Sequence, residues 1–266
     1  MNQRVEVVST SAGSLATVRA RLRNWGRAAL ELALPRECVG CHTNLGDEFA
    51  SSGVPICGDC LDDLPLFDGL NCLRCAAILP AALAVRDRCP VCRDTKLWFD
   101  EAIALGDYEG LLRNWLLQMK HSAGDGLSLA LGELLWGRCE ERLRAAAPDV
   151  VVPVPSHWRR RWAHATNSAA VVAEVLARRL GIPLAAGLVS RTRNTPPQFS
   201  LTPSERPANV RRAFSVRAGY HLQSACVLLV DDILTTGSTC SAVARELKDH
   251  GAIRVAVAVV ARTISH

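Results

Sequence analysis

Two sets of residues in this 266-residue chain have types and spacings that chemistry can use. The first is cysteine. Eight of the eleven fall in four Cys-x-x-Cys pairs, Cys38/Cys41, Cys57/Cys60, Cys72/Cys75 and Cys89/Cys92, while Cys139, Cys226 and Cys240 are solitary. Two thiolates on a tight turn grip one side of a Zn²⁺ ion, and a second turn completes the tetrahedron. The 15 residues between the first two pairs fit a zinc ribbon, and the 13 between the last two are slightly short of one. Sequential pairing gives one site from Cys38, Cys41, Cys57 and Cys60 and another from Cys72, Cys75, Cys89 and Cys92. Interleaved pairing, first with third and second with fourth, stays open. Iron–sulfur ligation is the competing chemistry, and small core cysteines are the bland alternative. Four thiolates per site leave no position for water, so two zinc ions would be structural. They would staple a segment too poor in apolar residues to fold alone.

The second set is the run Val227-Leu228-Leu229-Val230-Asp231-Asp232-Ile233-Leu234-Thr235-Thr236-Gly237-Ser238-Thr239. Four apolar residues predict a buried strand. Two carboxylates follow at its C-terminal end, where open α/β sheets bind ligands. A loop of small residues then leads into a helix, turning backbone N–H groups inward beneath a partly positive helix N-terminus. The hydroxyls of Thr235, Thr236, Ser238 and Thr239 add donors. Such a loop cradles a phosphate, and Asp231 and Asp232 can accept hydrogen bonds from vicinal sugar hydroxyls. A sugar 5-phosphate suits both halves. The run contains neither GxxxxGK[ST] nor GxGxxG, so it is not a P-loop or a dinucleotide fingerprint. A strand end with solvated aspartates and a capped helix is the plainer alternative.

Other residues fit an anionic ligand. Val152-Pro153-Val154-Pro155-Ser156 ends another strand, and Arg159, Arg160 and Arg161 follow. Guanidinium forks suit a diphosphate, although the same run also reads as a solvated helix start. Lys120 precedes a glycine-rich turn and either reaches a phosphate or caps a helix.

The elements that must position these groups alternate. Residues 1–14 are polar, and Leu15–Leu34 predicts an amphipathic helix with Arg19, Arg23 and Arg27 on one face. Residues 35–98 form the cysteine module. From residue 99 to 266, strands are expected at Ala102–Tyr108, Val150–Val154, Gly187–Ser190, Cys226–Val230 and Arg254–Ala261. Helices are expected at Leu111–Lys120, Leu127–Leu143, Arg159–Leu180 and Thr239–His250. Arg191–Arg212 is polar, rich in Pro and Arg, and reads as a long loop with one turn of helix near Ser204–Val210. This order predicts a right-handed parallel α/β sheet.

Composition narrows the class. Hydrophobic residues make up 49% and charged residues 21%, which excludes a wholly disordered chain. The net charge of +5 is mild, so strong non-specific nucleic-acid binding is not expected. Only Lys96, Lys120 and Lys248 among 31 basic residues are lysines, which favours forked contacts to phosphate. No stretch approaches the roughly 20 apolar residues of a membrane helix. No secretion signal is evident, so a reducing cytoplasm is expected.

The Val227–Thr239 run resembles the phosphoribosyl-diphosphate (PRPP) motif of type I phosphoribosyltransferases at all thirteen positions. A narrower resemblance comes from the combination. The cysteine module, Leu117-Gln-Met-Lys120, Val152-Pro-Val-Pro155, Arg191-Thr-Arg-Asn-Thr-Pro-Pro-Gln198, Arg206, Asn209, Phe214 and the acidic pair together resemble the ComF competence-protein family over about residues 35–262. That resemblance implies a double zinc ribbon joined to a phosphoribosyltransferase-like domain that binds PRPP with Mg²⁺. It implies a link to DNA uptake or single-stranded DNA handling, with other competence proteins as partners. Where the family usually has Arg-Gly-Phe-Asn-Gln-Ala, this chain has His164-Ala165-Thr166-Asn167-Ser168-Ala169.

For an active transferase, Asp231 and Asp232 would orient the ribose and favour developing positive charge. Thr235, Thr236, Gly237, Ser238 and Thr239 would hold the 5-phosphate. Lys120, Arg159 and Arg160 would face the diphosphate, and Arg191, Arg193 and Gln198 would close over the site. Whether the chain turns over is left open. A PRPP-sensing scaffold, or a nucleic-acid binder using Trp158 and Trp162, are the alternatives.

Overall fold

The computed structural model describes residues 37–45, 54–68, 71–79, 89–119, 125–155, 167–192, 210 and 213–263. The helix expected at Leu15–Leu34 lies outside them. The chain divides into two compact units, 1–57 and 58–266.

Residues 37–44 and 71–78 form matching turns. In each, the first cysteine's N–H donates to the carbonyl five residues on: Cys38 to Thr43 and Cys72 to Ala77, both at 2.8 Å. The residue after the second cysteine takes positive φ, 62° at His42 and 56° at Ala76. That left-handed step reverses the chain so that bridges close at Glu37–Asn44 and Asn71–Ile78. Helix α1 (Gly58–Asp62) begins right after Cys57 and carries Cys60.

The rest of the second unit alternates strand and helix: β1 (Glu101–Asp107), α2 (Gly110–Gln118), α3 (Asp125–Ala145), β2 (Val150–Pro153), α4 (Ser168–Leu180), β3 (Val189–Arg191), β4 (Phe214–Val216), β5 (Cys226–Leu234), α5 (Ser238–Asp249) and β6 (Arg254–Arg262). Four strands make a parallel sheet in the order β1-β6-β5-β2. The parallel α/β sheet expected from the sequence is therefore present. Its strands are near-continuous apolar runs because both faces are covered. On one face Val227, Leu229, Val255, Val257 and Val259 share a core with Val243, Ala244 and Leu247 of α5 and with the second cysteine module. The alternate residues Leu228, Val230, Ala258 and Val260 are equally buried on the face opposite. Helices α3 and α4 pack on each other, with α3 over β1 and α4 over β2 and β5.

Helix α4 is described from Ser168, with Asn167 extended (φ −79°, ψ 98°) before it, and residues 159–166 of the expected helix lie outside the described residues. Two elements differ from expectation. Arg191, expected to open a loop, ends β3, which pairs antiparallel with β4. Strand β5, expected to stop at Val230, runs on to Leu234. Its ladder with β6 continues through Asp231–Val259, Ile233–Ala261 and Leu234–Arg262. Its other neighbour, β2, ends at the Pro153–Val230 pair. The acids are therefore strand residues lying beyond the last β2 pair, which no local propensity signals.

Candidate active site and metal centres

The cysteines form two sequential sets. The Sγ atoms of Cys38, Cys41, Cys57 and Cys60 lie within 4.8 Å of one another, as do those of Cys72, Cys75, Cys89 and Cys92. Interleaved pairing is excluded. A tetrahedral ion with metal–sulfur bonds of about 2.3 Å would space its sulfurs by roughly 3.8 Å. The observed separations match: Cys41–Cys57 3.6 Å, Cys75–Cys89 3.6 Å, Cys72–Cys92 3.8 Å and Cys89–Cys92 3.8 Å. All eight cysteines are unbonded to one another, and all four of the second set are buried. Burial, with neighbouring thiolates adding to it, pushes the Cys75 thiol up and that of Cys92 up to about 11. Cys72, despite burial that opposes it, is lowered by backbone hydrogen bonds, and a bound cation lets the clustered sulfurs ionise together. The exposed Cys41 differs: the Thr43 hydroxyl and amide lower it to about 6. Both sets fit metal sites of the zinc-ribbon kind.

At the C-terminal end of β5, successive side chains point to opposite faces. Asp231 faces α5, where its Oδ2 accepts from the Cys240 thiol at 3.6 Å and its Oδ1 accepts from the Asp232 N–H at 2.9 Å. Burial, reinforced by the charge of Asp232, holds the Asp231 carboxyl well above the usual range. The same burial, with the two acids beside it, raises Cys240. Arg191 is close enough for the Asp231 charge to offset part of its own desolvation, and its guanidinium stacks on Phe214 at 5.4 Å. Structure thus places Arg191, expected as a lid residue, within electrostatic reach of Asp231.

The loop Thr235–Gly237 links β5 to α5. Gly237 sits at φ +76°, a left-handed conformation, and a Cβ there would lie 3.2 Å from Leu97 Cδ2 and 3.4 Å from Phe99 Cε1. Only glycine meets both conditions without strain. Thr236 Oγ1 and Ser238 Oγ lie 2.7 Å apart, and the Ser238 N–H donates to Thr236 Oγ1 at 3.4 Å. Among the described residues, the N–H groups of Thr235, Thr236 and Gly237 have no hydrogen-bond acceptor. Three amides thus stay uncommitted at a helix N-terminus, which is an anion site in waiting. A cleft of about 500 Å³ opens beside the loop, lined by Thr236, Ser238, Trp98, Phe214, Arg245 and Glu246 but by neither acid. Lys96 and Arg245 stand over the Trp98 ring at 4.7 and 5.1 Å.

Lys120, Arg159, Arg160, Arg193, Gln198, Trp158, Trp162 and His164 lie outside the described residues. Two site residues escaped the sequence reading. Cys240 passed as a solitary cysteine. Arg262, 4% exposed, was legible only as a charge closing an otherwise apolar strand.

Comparison with known proteins now adds to this geometry. A phosphoribosyl transferase domain model matches residues 165–265. The chain is 27% identical over 229 residues to Competence protein F of Haemophilus influenzae, covering 85% of this chain and 96% of that protein. It is 32% identical over 165 residues to DNA utilization protein YhgH of Escherichia coli, covering 61% of this chain and 72% of that one. The chain belongs to the ComF competence-protein family. Among solved structures, a purine phosphoribosyltransferase from Pyrococcus horikoshii aligns at 22% identity over 60% of this chain and 77% of its own, with a TM-score of 0.31. This ComF-family chain therefore combines a phosphoribosyltransferase-like parallel α/β fold with two cysteine sets upstream. No described helix is long and apolar enough to cross a membrane.

Proposed function

We propose that this chain binds PRPP and serves DNA uptake or single-stranded DNA handling, as the names of its relatives suggest. The 5-phosphate would sit in the cradle Thr235–Thr239, the ribose beside Asp231 and Asp232, and the diphosphate toward Lys120, Arg159, Arg160, Arg191 and Gln198. The observation that carries this reading is the glycine-centred loop, whose three amides, uncommitted among the described residues, lie just past two acids at the C-terminal end of β5. On it, residues 35–98 are a double zinc ribbon with two structural zinc ions, and residues 99–266 are the PRPP-binding domain. Thiols kept for metal suit a reducing cytoplasm.

In a transferase reaction the bond from the anomeric carbon to the diphosphate oxygen breaks, and diphosphate leaves with the electron pair. An amine or base nitrogen then donates its lone pair to that carbon and loses a proton to solvent. Mg²⁺, bound with PRPP, would supply charge neutralisation at the diphosphate. This chain's own residues orient. Asp232, pointing away from α5, accepts from ribose hydroxyls and faces the developing oxocarbenium, while Asp231 positions it by accepting from the Asp232 N–H at 2.9 Å. No described side chain is poised as a general base, and none is required.

A second reading, a PRPP-sensing nucleic-acid binder without turnover, draws on one observation. Trp98, with Lys96 and Arg245 over its ring, lines the same cleft as Thr236. Aromatic rings beside cations stack on bases. The two readings separate by measuring diphosphate release from PRPP against a panel of bases, alongside salt-dependent binding of single-stranded DNA. Release with one acceptor establishes the enzyme. DNA binding together with PRPP binding but no release establishes the sensor.

A further inference from the structure

One buried charge does nothing in the chemistry above. Arg262 closes β6, and its guanidinium spans two parts of the fold. Nε donates to the main-chain carbonyl of Cys75 at 2.8 Å, and Nη1 donates to the carbonyls of Leu234, at 2.9 Å, and Thr235. The first belongs to a turn of the second metal set. The other two are the residues where the phosphate loop leaves β5. A second tie runs parallel to it. Arg74, between Cys72 and Cys75, donates to Leu97 O at 2.7 Å and Asp100 O at 2.9 Å, and Leu97 is the side chain against Gly237. Keeping a guanidinium in the interior is costly unless its donors are met. Here Nε is met by Cys75 O, and Nη1 by the loop carbonyls together with that of the adjacent Thr263, so the guanidinium bridges the cysteine turn and the loop.

We propose that Arg262 is a positioning residue that makes the shape of the phosphate loop depend on metal in the Cys72–Cys75–Cys89–Cys92 site. The metal fixes the turn around Cys75 because four buried thiolates need a cation to stay together. That turn fixes Arg262, and Arg262 fixes the mouth of the loop. Without metal the turn relaxes, the carbonyls lose their shared donor, and the amides of Thr235–Gly237 no longer converge. The functional consequence, that an anionic sugar binds only to the metallated chain, rests on the PRPP reading. The structural coupling does not.

The test uses the full chain loaded with zinc and reads loop exchange at the amides of Ser241 and Thr263, which donate to the loop carbonyls of Gly237 at 2.8 Å and Leu234 at 2.9 Å. Cys89→Ser/Cys92→Ser, which removes metal from the second site alone, raises loop exchange about tenfold or more, the factor carried by one lost hydrogen bond from a charged donor. Peptides over Val227–Val230 and Val257–Val260 stay unchanged. Arg262→Lys, which keeps the charge but cannot span both sides, does the same with metal still bound, and combining the changes adds nothing. Loop exchange unaltered in Arg262→Lys overturns the proposal. So does an equal response to Cys38→Ser/Cys41→Ser, which would signal general loosening. Should Arg262→Lys not fold, the contrast between the two cysteine variants decides alone. PRPP affinity, measured in parallel, falls with the loop. If the parent takes no PRPP while the exchange pattern holds, the coupling stands and the PRPP reading falls.

Discussion

Gly237→Ala probes the loop most sharply because its cost divides into two parts. The native φ of +76° is left-handed, and an L-residue there costs about 1–2 kcal/mol. The added Cβ would also press Leu97 Cδ2 at 3.2 Å and Phe99 Cε1 at 3.4 Å. Those neighbours must give by a few tenths of an ångström, which adds roughly 1 kcal/mol of overpacking. Urea denaturation at fixed zinc concentration should therefore show a loss of about 2–3 kcal/mol. In a Leu97→Ala background the nearer contact vanishes, and the same substitution should cost only about 1–2 kcal/mol, so the double-mutant cycle isolates the steric part. PRPP affinity should drop at least about tenfold in both backgrounds, because the amides turn with the glycine. A Gly237→Ala protein as stable as its parent, with unchanged PRPP affinity, would refute the assignment of conformational strain to this position.

Other outcomes follow from the same chemistry. Asp231 has a folded pKa raised by burial above its unfolded value near 4, so its contribution to stability is complete below about pH 4 and is lost as pH rises through the folded value. Asp231→Asn should thus stabilise the ligand-free protein at pH 8 relative to pH 5 and flatten the profile in urea titrations. An unchanged profile would show that the carboxyl is not desolvated. Metal analysis should return two zinc ions per chain, falling to one in Cys72→Ser/Cys89→Ser, whereas loss of both ions in that variant would contradict the sequential sets. When metal is withdrawn, iodoacetamide at pH 7 should label Cys41, lowered to about 6, before Cys75 or Cys92, with Thr43→Val slowing Cys41. Peptide mass spectrometry showing Cys92 labelled first would reverse that ordering.

Much of the architecture could be read from the chain because it rests on local patterns. Unbroken apolar runs such as Val227–Val230 mark strands covered on both faces, and Gly251 ends α5 where expected. The cysteine sets follow from spacing alone, apart from their pairing, which only three-dimensional closure decides. What was hidden depends on neighbours far along the chain. The extension of β5 through the acids is imposed by β6, whose ladder outlasts that of β2. The placing of Arg191 beside Asp231 comes from β4, a strand of three residues with too little pattern to notice. Arg262 was invisible for the same reason: its partners lie 187 and 28 residues away.

The most direct measurement is calorimetric titration of the zinc-loaded chain with PRPP in the presence of Mg²⁺, beside Asp231→Asn/Asp232→Asn and Gly237→Ala. Saturable binding of one PRPP per chain, weakened by both variants, is the predicted result. No heat from the parent, or equal affinity in all three proteins, would contradict the claim that this loop holds a phosphorylated sugar.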